Sequence, residues 1–401
     1  MVMRVKVRVC QILRSLYLLR LDDDETKFFE AVWPIPEGVT YNSYLLLTDE
    51  GAVLFDTWKH SYADLFVEKL EELVDPTDIK YIVIHHMEKD HSGALPQVLE
   101  RNKGKAVVLG HPLARSMLEH FYGISPEFKT VGDGDEVSIG GRTVKFIRTP
   151  WLHWPETLMS YLDGVLLSGD AFGGFSIPPL FDEEEKAVSE YLRYVRKYIV
   201  TIVGHYSDYI LKAVDKLSSS GLPVKVVAPA HGMVFREKPA TIINYYVKVA
   251  RKEAEKGKVL VVYASMYGAV EEAVSVAIEA LRERGADPVV YKITDKESFS
   301  LGEALSDAVD SEAIVIGAPT YEADVFPPMK YFLELLTAKV KGGKPVVVVS
   351  SYGWGGVAGK KMAKALEGAG FNVVGVIEFR GQPGGEDLAN LWRTIAEMLA
   401  L

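Results

Sequence analysis

The chain has 401 residues, of which 48% are hydrophobic and 25% charged, a composition that excludes a disordered or fibrous protein. Its length exceeds one ordinary domain of roughly 100–200 residues, so we expect two domains. The formal net charge of −10 argues against nucleic acid and anionic membranes as partners. Because Cys10 is the only cysteine, a disulfide within the chain and a cluster of thiolate ligands are excluded. Any metal must be held by histidines and carboxylates.

The amino-terminal stretch contains apolar residues, but charged residues such as Arg8, Arg14 and Arg20 interrupt it. A signal peptide needs an unbroken apolar run of about 7–15 residues, and a membrane span needs about 20. We therefore expect a cytoplasmic protein.

Short strands with interspersed helices fill the first part of the chain. Residues 41–57 read as two strands around a turn, and residues 77–86 end in an apolar strand. Helical periodicity covers residues 62–73 and again residues 183–218. Four further apolar strands each end in a polar or glycine-containing corner: KAVVLG, VKFIRTP, GVLLSGD and VKVVAPA.

The pattern changes near residue 257, after the charged segment RKEAEKGK. Five strands then alternate with helices, at residues 259–263, 288–291, 313–317, 345–350 and 373–379. This alternation predicts a doubly wound parallel sheet. We therefore expect one domain over residues 1–254 and a second over residues 257–401.

The segment His86-Met87-Glu88-Lys89-Asp90-His91 follows directly on an apolar strand. In an extended chain, residues i, i+2 and i+4 point to the same side. His86, Glu88 and Asp90 should therefore converge, and His91 should join them where the chain turns. Two imidazoles and two carboxylates within six residues supply most of a site for two metal ions.

Three later corners carry further ligand-type residues. His153, Asp170 and His231 each lie just beyond the carboxyl end of a predicted strand. Open α/β folds build their sites at such strand ends. We therefore expect these three side chains to complete the metal site.

This pattern resembles the ligand set of the flavodiiron proteins. The resemblance implies a metallo-β-lactamase-like αββα sandwich followed by a flavodoxin-like, doubly wound, five-stranded parallel sheet. The wider β-lactamase family has His-x-His-x-Asp-His and binds zinc, whereas Glu88 stands here in place of the second histidine. A carboxylate adds negative charge and a hard oxygen ligand, which favours iron over zinc.

By this resemblance, one iron is held by His86, Glu88 and His153, and the other by Asp90, His91 and His231, with Asp170 bridging both. His60, His85 and His205 have no place in the family's ligand set. Some relatives also carry a histidine shortly before a Thr-Tyr-Asn segment. This chain lacks it ahead of Thr40-Tyr41-Asn42.

The first strand of the second domain leads into Ser265-Met266-Tyr267-Gly268-Ala269 and then a helix. Hydroxyls, a glycine and the amino end of a helix form a neutral cradle for a phosphate monoester. The segment resembles the flavodoxin phosphate loop, although Val270 stands where the last hydroxyl is expected. It contains no lysine, unlike a nucleoside-triphosphate loop.

Two later corners fit the same ligand, flavin mononucleotide (FMN), because their aromatic rings are suited to flank an isoalloxazine. The flavin contacts that the resemblance implies lie in three loops: Ser265, Met266, Tyr267, Gly268 and Ala269; Pro319, Thr320 and Tyr321; and Ser351, Tyr352, Gly353, Trp354 and Gly355.

The resemblance implies an oxidoreductase that reduces dioxygen to water at a diiron site, with electrons relayed through FMN. Reduction of nitric oxide to nitrous oxide at the same site is the first alternative. A zinc-dependent hydrolase of the β-lactamase fold with an accessory flavodoxin domain is the second, and a pure electron carrier is the third. Metal analysis separates the hydrolase from the two reductases.

The resemblance also implies partners. We expect a head-to-tail homodimer or a dimer of dimers, and electrons from rubredoxin or another small donor. The chain has no convincing dinucleotide fingerprint, since Gly353-x-Gly355 follows a late strand and lacks the expected spacing. We therefore expect slow oxidation of NADH by the chain alone.

Overall fold

The computed structural model describes residues 5–401, which fall into two compact units. The first unit comprises the chain up to Ile199 together with Tyr206–Ala250, and the second comprises Val200–His205 together with Arg251–Leu401. The first four residues of the predicted first domain lie outside the described residues. The domain bounds 1–254 and 257–401 stay a prediction.

Two β-sheets form the framework of the first unit. Its strands are β1 (Lys6–Leu13), β2 (Leu16–Asp23), β3 (Phe28–Phe29), β4 (Trp33–Pro34), β5 (Val39–Thr48), β6 (Gly51–Phe55), β7 (Ile79–Val83), β8 (Val107–Gly110), β9 (Phe128–Thr130), β10 (Glu136–Ile139), β11 (Arg142–Arg148), β12 (Leu158–Leu162), β13 (Val165–Gly169) and β14 (Val226–Pro229). One sheet has the order β1-β2-β5-β6-β7-β8-β9 and the other has the order β10-β11-β12-β13-β14. Strands β3 and β4 pair separately.

The core of this unit lies between the two sheets. Leu18 and Phe55 of the seven-stranded sheet belong to the same buried cluster as Phe146 and Leu167 of the five-stranded sheet. Among the described residues, seven α-helices complete the unit: α1 (Ala63–Glu71), α2 (Lys89–Ser92), α3 (Leu95–Asn102), α4 (Pro112–Tyr122), α5 (Glu185–Tyr198), α6 (Ser207–Ser219) and α7 (Pro239–Ala250). The predicted metallo-β-lactamase-like sandwich is confirmed.

The directions of the strands determine which strand ends lie together in each sheet. Strands β11 and β13 both run antiparallel to β12, and β13 runs parallel to β14. The carboxyl ends of β11, β13 and β14 therefore lie at one edge of the five-stranded sheet. In the other sheet, β6, β7 and β8 are parallel to one another, so their carboxyl ends also share an edge.

The second unit is a parallel sheet with the strand order β16-β15-β17-β19-β20. Its elements are β15 (Lys258–Ala264), α8 (Ala269–Glu283), β16 (Asp287–Ile293), α9 (Leu301–Asp310), β17 (Ala313–Tyr321), β18 (Asp324–Val325), α10 (Pro327–Lys339), β19 (Pro345–Tyr352), α11 (Ala358–Gly368), β20 (Asn372–Arg380) and α12 (Gly385–Leu399). Short β18 pairs antiparallel with β17. The order is that of flavodoxin-like sheets, which confirms the predicted fold.

The helix predicted over residues 183–218 is not continuous. It divides into α5 and α6, with a π-helical turn at Ile199–Val203 and a 3₁₀ turn at Gly204–Tyr206 between them. All five residues of Ile-Val-Thr-Ile-Val are β-branched and a glycine follows them, and both features disfavour a regular α-helix. Within residues 5–401, no helix is both long enough and apolar enough to cross a membrane.

Candidate metal centre and cofactor site

The histidines and carboxylates singled out from the sequence lie at the strand ends described above. His86 follows β7 of the seven-stranded sheet, and the chain then turns into α2. His153, Asp170 and His231 follow β11, β13 and β14, whose carboxyl ends share one edge of the other sheet. Both sheets therefore contribute side chains to one buried cluster of histidines and carboxylates.

A first group is formed by His86, Glu88, His153 and Asp170, whose ligand atoms all lie within 4.8 Å of one another. Glu88 Oε2 lies 2.7 Å from His153 Nε2 and 3.5 Å from His86 Nε2. Asp170 Oδ2 lies 3.2 Å from His153 Nε2 and 3.6 Å from His86 Nε2. Two imidazoles and two carboxylates thus face a common point.

Asp90, His91 and His231 form a second group, again with all ligand atoms within 4.8 Å. The Nε2 atoms of His91 and His231 are 3.1 Å apart, and each lies 3.4 Å from Asp90 Oδ2. Asp170 Oδ1 lies 2.8 Å from His91 Nε2. One oxygen of Asp170 therefore faces each group.

The expectation of an extended chain from His86 to Asp90 was wrong. The extended course ends at Glu88, and Lys89–Ser92 form the short helix α2. Because of this turn, Asp90 and His91 face His231 instead of the point shared by His86 and Glu88. A strand-like alternation of side chains cannot continue through a helical turn.

Opposite charges dominate the electrostatics of the two groups. Burial alone raises the pKa of Glu88, but hydrogen bonds with His153 and His86 hold this pKa well below its usual range. Burial alone lowers the pKa of His91, but the carboxylates of Asp90 and Asp170 raise it to about 10. The carboxylate of Glu88 is therefore ionised and attracts cations.

Several buried polar atoms of the two groups lack hydrogen-bond partners among the described residues, and this shows whether metal ions would fit between them. Within residues 5–401, both ring nitrogens of His86 and both carboxylate oxygens of Asp90 are buried without a hydrogen-bond partner. Buried polar atoms are normally satisfied by hydrogen bonds. Imidazole nitrogens and carboxylate oxygens in two adjoining groups fit two metal ions that share Asp170.

The segment Thr40-Tyr41-Asn42 fixes the orientation of His231. The carbonyl oxygen of Thr40 lies 2.6 Å from His231 Nδ1, and the Asn42 side-chain amide donates to the carbonyl oxygens of Pro229 and Gly232. This arrangement leaves His231 Nε2 directed at the second group. Near this Thr-Tyr-Asn segment, which lacks the upstream histidine of some relatives, the Phe29 ring meets His231 edge-on, with centroids 5.8 Å apart.

His60, His85 and His205 lie outside both groups. His60 and His205 are exposed. His85 is buried and hydrogen-bonded to Asp56 and Ser160. Sequence reasoning missed Asp56 and Ser160, which lie 29 and 75 residues from His85 in the chain.

The second unit contains a cavity of about 690 Å³ at the carboxyl ends of its strands. Of the predicted flavin contacts, all except Gly268 line this cavity. The rings of Tyr267 and Trp354 stand 91% and 92% exposed at the cavity. Their exposure fits a pair of rings that flank a planar ligand.

The phosphate loop fits a small anion. Gly268 has a φ of +90° and caps α8, so the first backbone N–H groups of the helix face the loop. Ser265 Oγ accepts a hydrogen bond from the Gly268 N–H at 3.1 Å. Val270 is fully buried and belongs to the core of the second unit, so the missing hydroxyl is replaced by packing.

Six cavity-lining residues were missed by the sequence reasoning: Val270 was discussed only as a departure, and Glu322, Ala323, Val357, Gly381 and Gln382 were not named as flavin contacts. Gly381 and Gln382 follow β20, which is the fifth strand of the same parallel sheet. The rule that sites form at the carboxyl ends of parallel strands applies to this strand too and would have found them.

Comparison with known proteins gives two matching family models. The model described as "ODP family beta lactamase" matches residues 39–232, and the flavodoxin model matches residues 261–393. The chain is 29% identical to a nitric oxide reductase of Moorella thermoacetica, over 96% of this chain and 98% of that protein. It is 28% identical to the rubredoxin-oxygen oxidoreductase of Megalodesulfovibrio gigas, over 98% of both.

Among solved structures, a flavo di-iron protein of Thermotoga maritima, described as an H90D mutant, superposes with a TM-score of 0.93. It is 40% identical, and the match covers 99% of both chains. Similarity of this extent covers both units and both candidate sites.

Proposed function

The chain belongs to the flavodiiron proteins and is an oxidoreductase, and we propose that it reduces dioxygen to water with electrons that reach a diiron site through FMN. The observation that carries this proposal is the pair of adjoining ligand groups that share Asp170. The cavity at the strand ends of the flavodoxin-like unit supports the flavin half of the proposal.

We assign the ligands by group. The first iron would be held by His86, Glu88 and His153, the second by Asp90, His91 and His231, and Asp170 would be shared between them. The cavity of the second unit would hold FMN, with residues of the loop 265–269 binding its phosphate and Tyr352 and Trp354 binding its ring system. Together, two ferrous ions and a reduced flavin supply the four electrons that full reduction of dioxygen requires.

The residues around the ligands shape the site for a small substrate. Phe29, Tyr41 and Tyr198 place their rings against His231, with centroids 5.6–5.8 Å away. On the other side, the Trp154 ring lies 6.0 Å from the His86 ring. These rings exclude bulk water and leave the carboxylates and imidazoles as the polar groups of the site.

Reduction of nitric oxide is the second candidate, because a relative that matches nearly the whole chain is named a nitric oxide reductase. Coupling two nitric oxide molecules to nitrous oxide and water takes two electrons and two protons, which the same centre can deliver. The relatives' names describe reductases, which argues against the zinc hydrolase and the pure electron carrier.

The test is anaerobic reduction of the iron-loaded and FMN-loaded protein, followed by rapid mixing with dioxygen or nitric oxide. The proposal expects about two irons and one FMN per chain, and faster reoxidation by dioxygen than by nitric oxide. Faster turnover of nitric oxide would favour the second candidate. Stoichiometric zinc in natively prepared protein would contradict the iron assignment.

We further propose rubredoxin, or a small donor like it, as the electron source, because one relative is named a rubredoxin-oxygen oxidoreductase. The exposed rings of Tyr267 and Trp354 at the flavin cavity support a contact with another protein surface. A head-to-tail homodimer or a dimer of dimers and a cytoplasmic location complete the proposal. Mixed dimers of one flavin-deficient and one iron-deficient chain test the pairing, since they retain activity only if flavin and iron cooperate across chains.

A further inference from the structure

The backbone N–H and both ring nitrogens of His85 are hydrogen-bonded, although His85 lies outside both ligand groups. Its backbone N–H donates to Asp56 Oδ1 at 2.9 Å, and its ring atom Nδ1 lies 2.5 Å from Asp56 Oδ2. On the other side of the ring, Nε2 lies 2.9 Å from Ser160 Oγ. All three residues are at most 2% exposed. Every polar atom of the His85 ring is therefore engaged in the interior.

These bonds join the two sheets. Asp56 follows β6 and His85 follows β7, both in the seven-stranded sheet, whereas Ser160 lies on β12 of the five-stranded sheet. A backbone bond at the same place, from the Leu158 N–H to the His85 carbonyl oxygen at 3.0 Å, ties the same two sheets. His85 thus connects them at the edge where all ligands lie.

The first ligand group depends on this connection because its members come from both sheets. His86 and Glu88 follow β7, while His153 and Asp170 follow β11 and β13 of the other sheet. The separation of the sheets at this edge sets the distance between these two pairs of ligands. The hydrogen bonds of His85 to the other sheet lie one residue from His86, so they fix the separation of the sheets directly beside a ligand.

Among residues 5–401, no hydrogen bond to Nδ1 orients the His86 ring, and its Nε2 faces Glu88 and Asp170. His231, by contrast, has Nδ1 held by the Thr40 carbonyl oxygen. The direction of the His86 side chain therefore depends on ring contacts, such as that with Trp154, and on the backbone on either side of it. On the far side, the Met87 N–H donates to Glu156 Oε1 at 3.0 Å.

We propose that His85 is a positioning residue of the metal centre, whose bonds to Asp56 and Ser160 hold His86 and Glu88 at the correct distance and angle from the ligands of the other sheet. The inference rests on the proposed ligand set. A purely structural role would not require a histidine here, because well-packed apolar residues stabilise an interior as well as buried polar groups do.

The test uses Co²⁺ as a probe in the metal-free full-length chain, because the visible spectrum of Co²⁺ reports coordination geometry. In His85→Phe, the ring keeps its place on Phe55, with which His85 stacks at 6.2 Å, but both ring hydrogen bonds are lost. We expect the Co²⁺ affinity of the first ligand group to fall by about 10–100-fold and the visible spectrum to change. Losses of this size are typical when a residue that supports the metal ligands is replaced.

Two further variants keep the inference falsifiable. Ser160→Ala removes only the side-chain bond from His85 to the other sheet and leaves the His85–Asp56 pair intact, so it decides the matter if His85→Phe does not fold. It should weaken Co²⁺ binding in the same direction by a smaller factor. The control His111→Phe removes another buried histidine of the same unit, one that accepts a bond from the Leu113 N–H, and should bind Co²⁺ like the unmodified chain.

Two results would overturn the inference. One is an unchanged Co²⁺ affinity and spectrum in folded His85→Phe or Ser160→Ala, even if the thermal stability of the metal-free chain falls. The other is an equal loss of affinity in His111→Phe. Failure of the unmodified chain to bind two Co²⁺ ions is a different outcome, which would refute the proposed ligand set itself.

Discussion

Replacing Asp170 with asparagine gives a direct test of the shared site. The carboxylate is fully buried, and its oxygens lie 2.8 Å from His91 Nε2 and 3.2 Å from His153 Nε2. Asparagine keeps the shape of the side chain but removes its charge, and it places an amide N–H₂ where one oxygen faces a group. The substitution therefore perturbs the charge balance and leaves the packing nearly unchanged.

The size of the effect follows from the charges. Glu88, Asp90 and Asp170 contribute three negative charges against two divalent cations, so the variant raises the net charge of the loaded site from +1 to +2. Removing one member of a buried ion pair costs about 3–5 kcal/mol, because the remaining charge is uncompensated. At about 1.4 kcal/mol per tenfold, the affinity for the second ion should fall between about 100-fold and a few thousandfold.

The assay is calorimetric titration of the metal-free chain with Fe²⁺ under anaerobic conditions. Asp163→Asn is the matched control, since Asp163 lies at the other end of β13 and its side chain is 48% exposed and paired with Arg142. The control should bind two ions like the unmodified chain. Two ions bound with unchanged affinity by Asp170→Asn would refute the bridging role.

Three further predictions concern the second unit and the donor. Val270→Thr adds a hydroxyl at the phosphate loop and should tighten FMN binding several-fold, as one hydrogen bond of about 1 kcal/mol predicts, without tightening riboflavin binding; flavin fluorescence measures both. Burial lowers the pKa of Lys344 to about 8, so between pH 8 and the usual pKa near 10.5 the unfolded chain binds more protons than the folded one. The free energy of unfolding should therefore rise across this window by up to about 3 kcal/mol, and urea titrations of Lys344→Met should lack the rise. Gas consumption with NADH alone should be slow and should accelerate when a rubredoxin and its reductase are added; fast consumption with NADH alone would contradict an external donor.

Much of the candidate metal centre could be predicted because the proposed ligands lie at positions with a local signature. Each of His153, Asp170 and His231 follows a short apolar strand, and strand ends are where a sheet presents side chains to a site. The segment from His86 to His91, which is rich in ligand-type residues, likewise follows an apolar strand, β7. The backbone conformation of this segment was predicted wrongly, because the periodicity of six residues is too short to indicate the helix α2.

The partners of the ligands could not be predicted in this way. The bonds of His85 to Asp56 and Ser160, and of His231 to Thr40, join residues 29 to 191 positions apart. The bond to Asp56 depends on how neighbouring strands pair and the other two depend on how the two sheets pack. A sequence pattern carries information only about neighbours within an element. The buried Val270 is similar, since its place in the core becomes visible only when the strands and α8 are assembled.

The distribution of the proposed ligands between the sheets links metal binding to the fold. The seven-stranded sheet supplies His86 and Glu88 through β7, and it also supplies Asp90 and His91 through the helix that follows. The five-stranded sheet supplies the other three ligands, including the carboxylate that faces both groups. Neither sheet alone brings a complete group together, so the two groups exist only when the sandwich is closed. Ions that bind both groups therefore stabilise the closed sandwich, because an unfolded chain offers no preformed site.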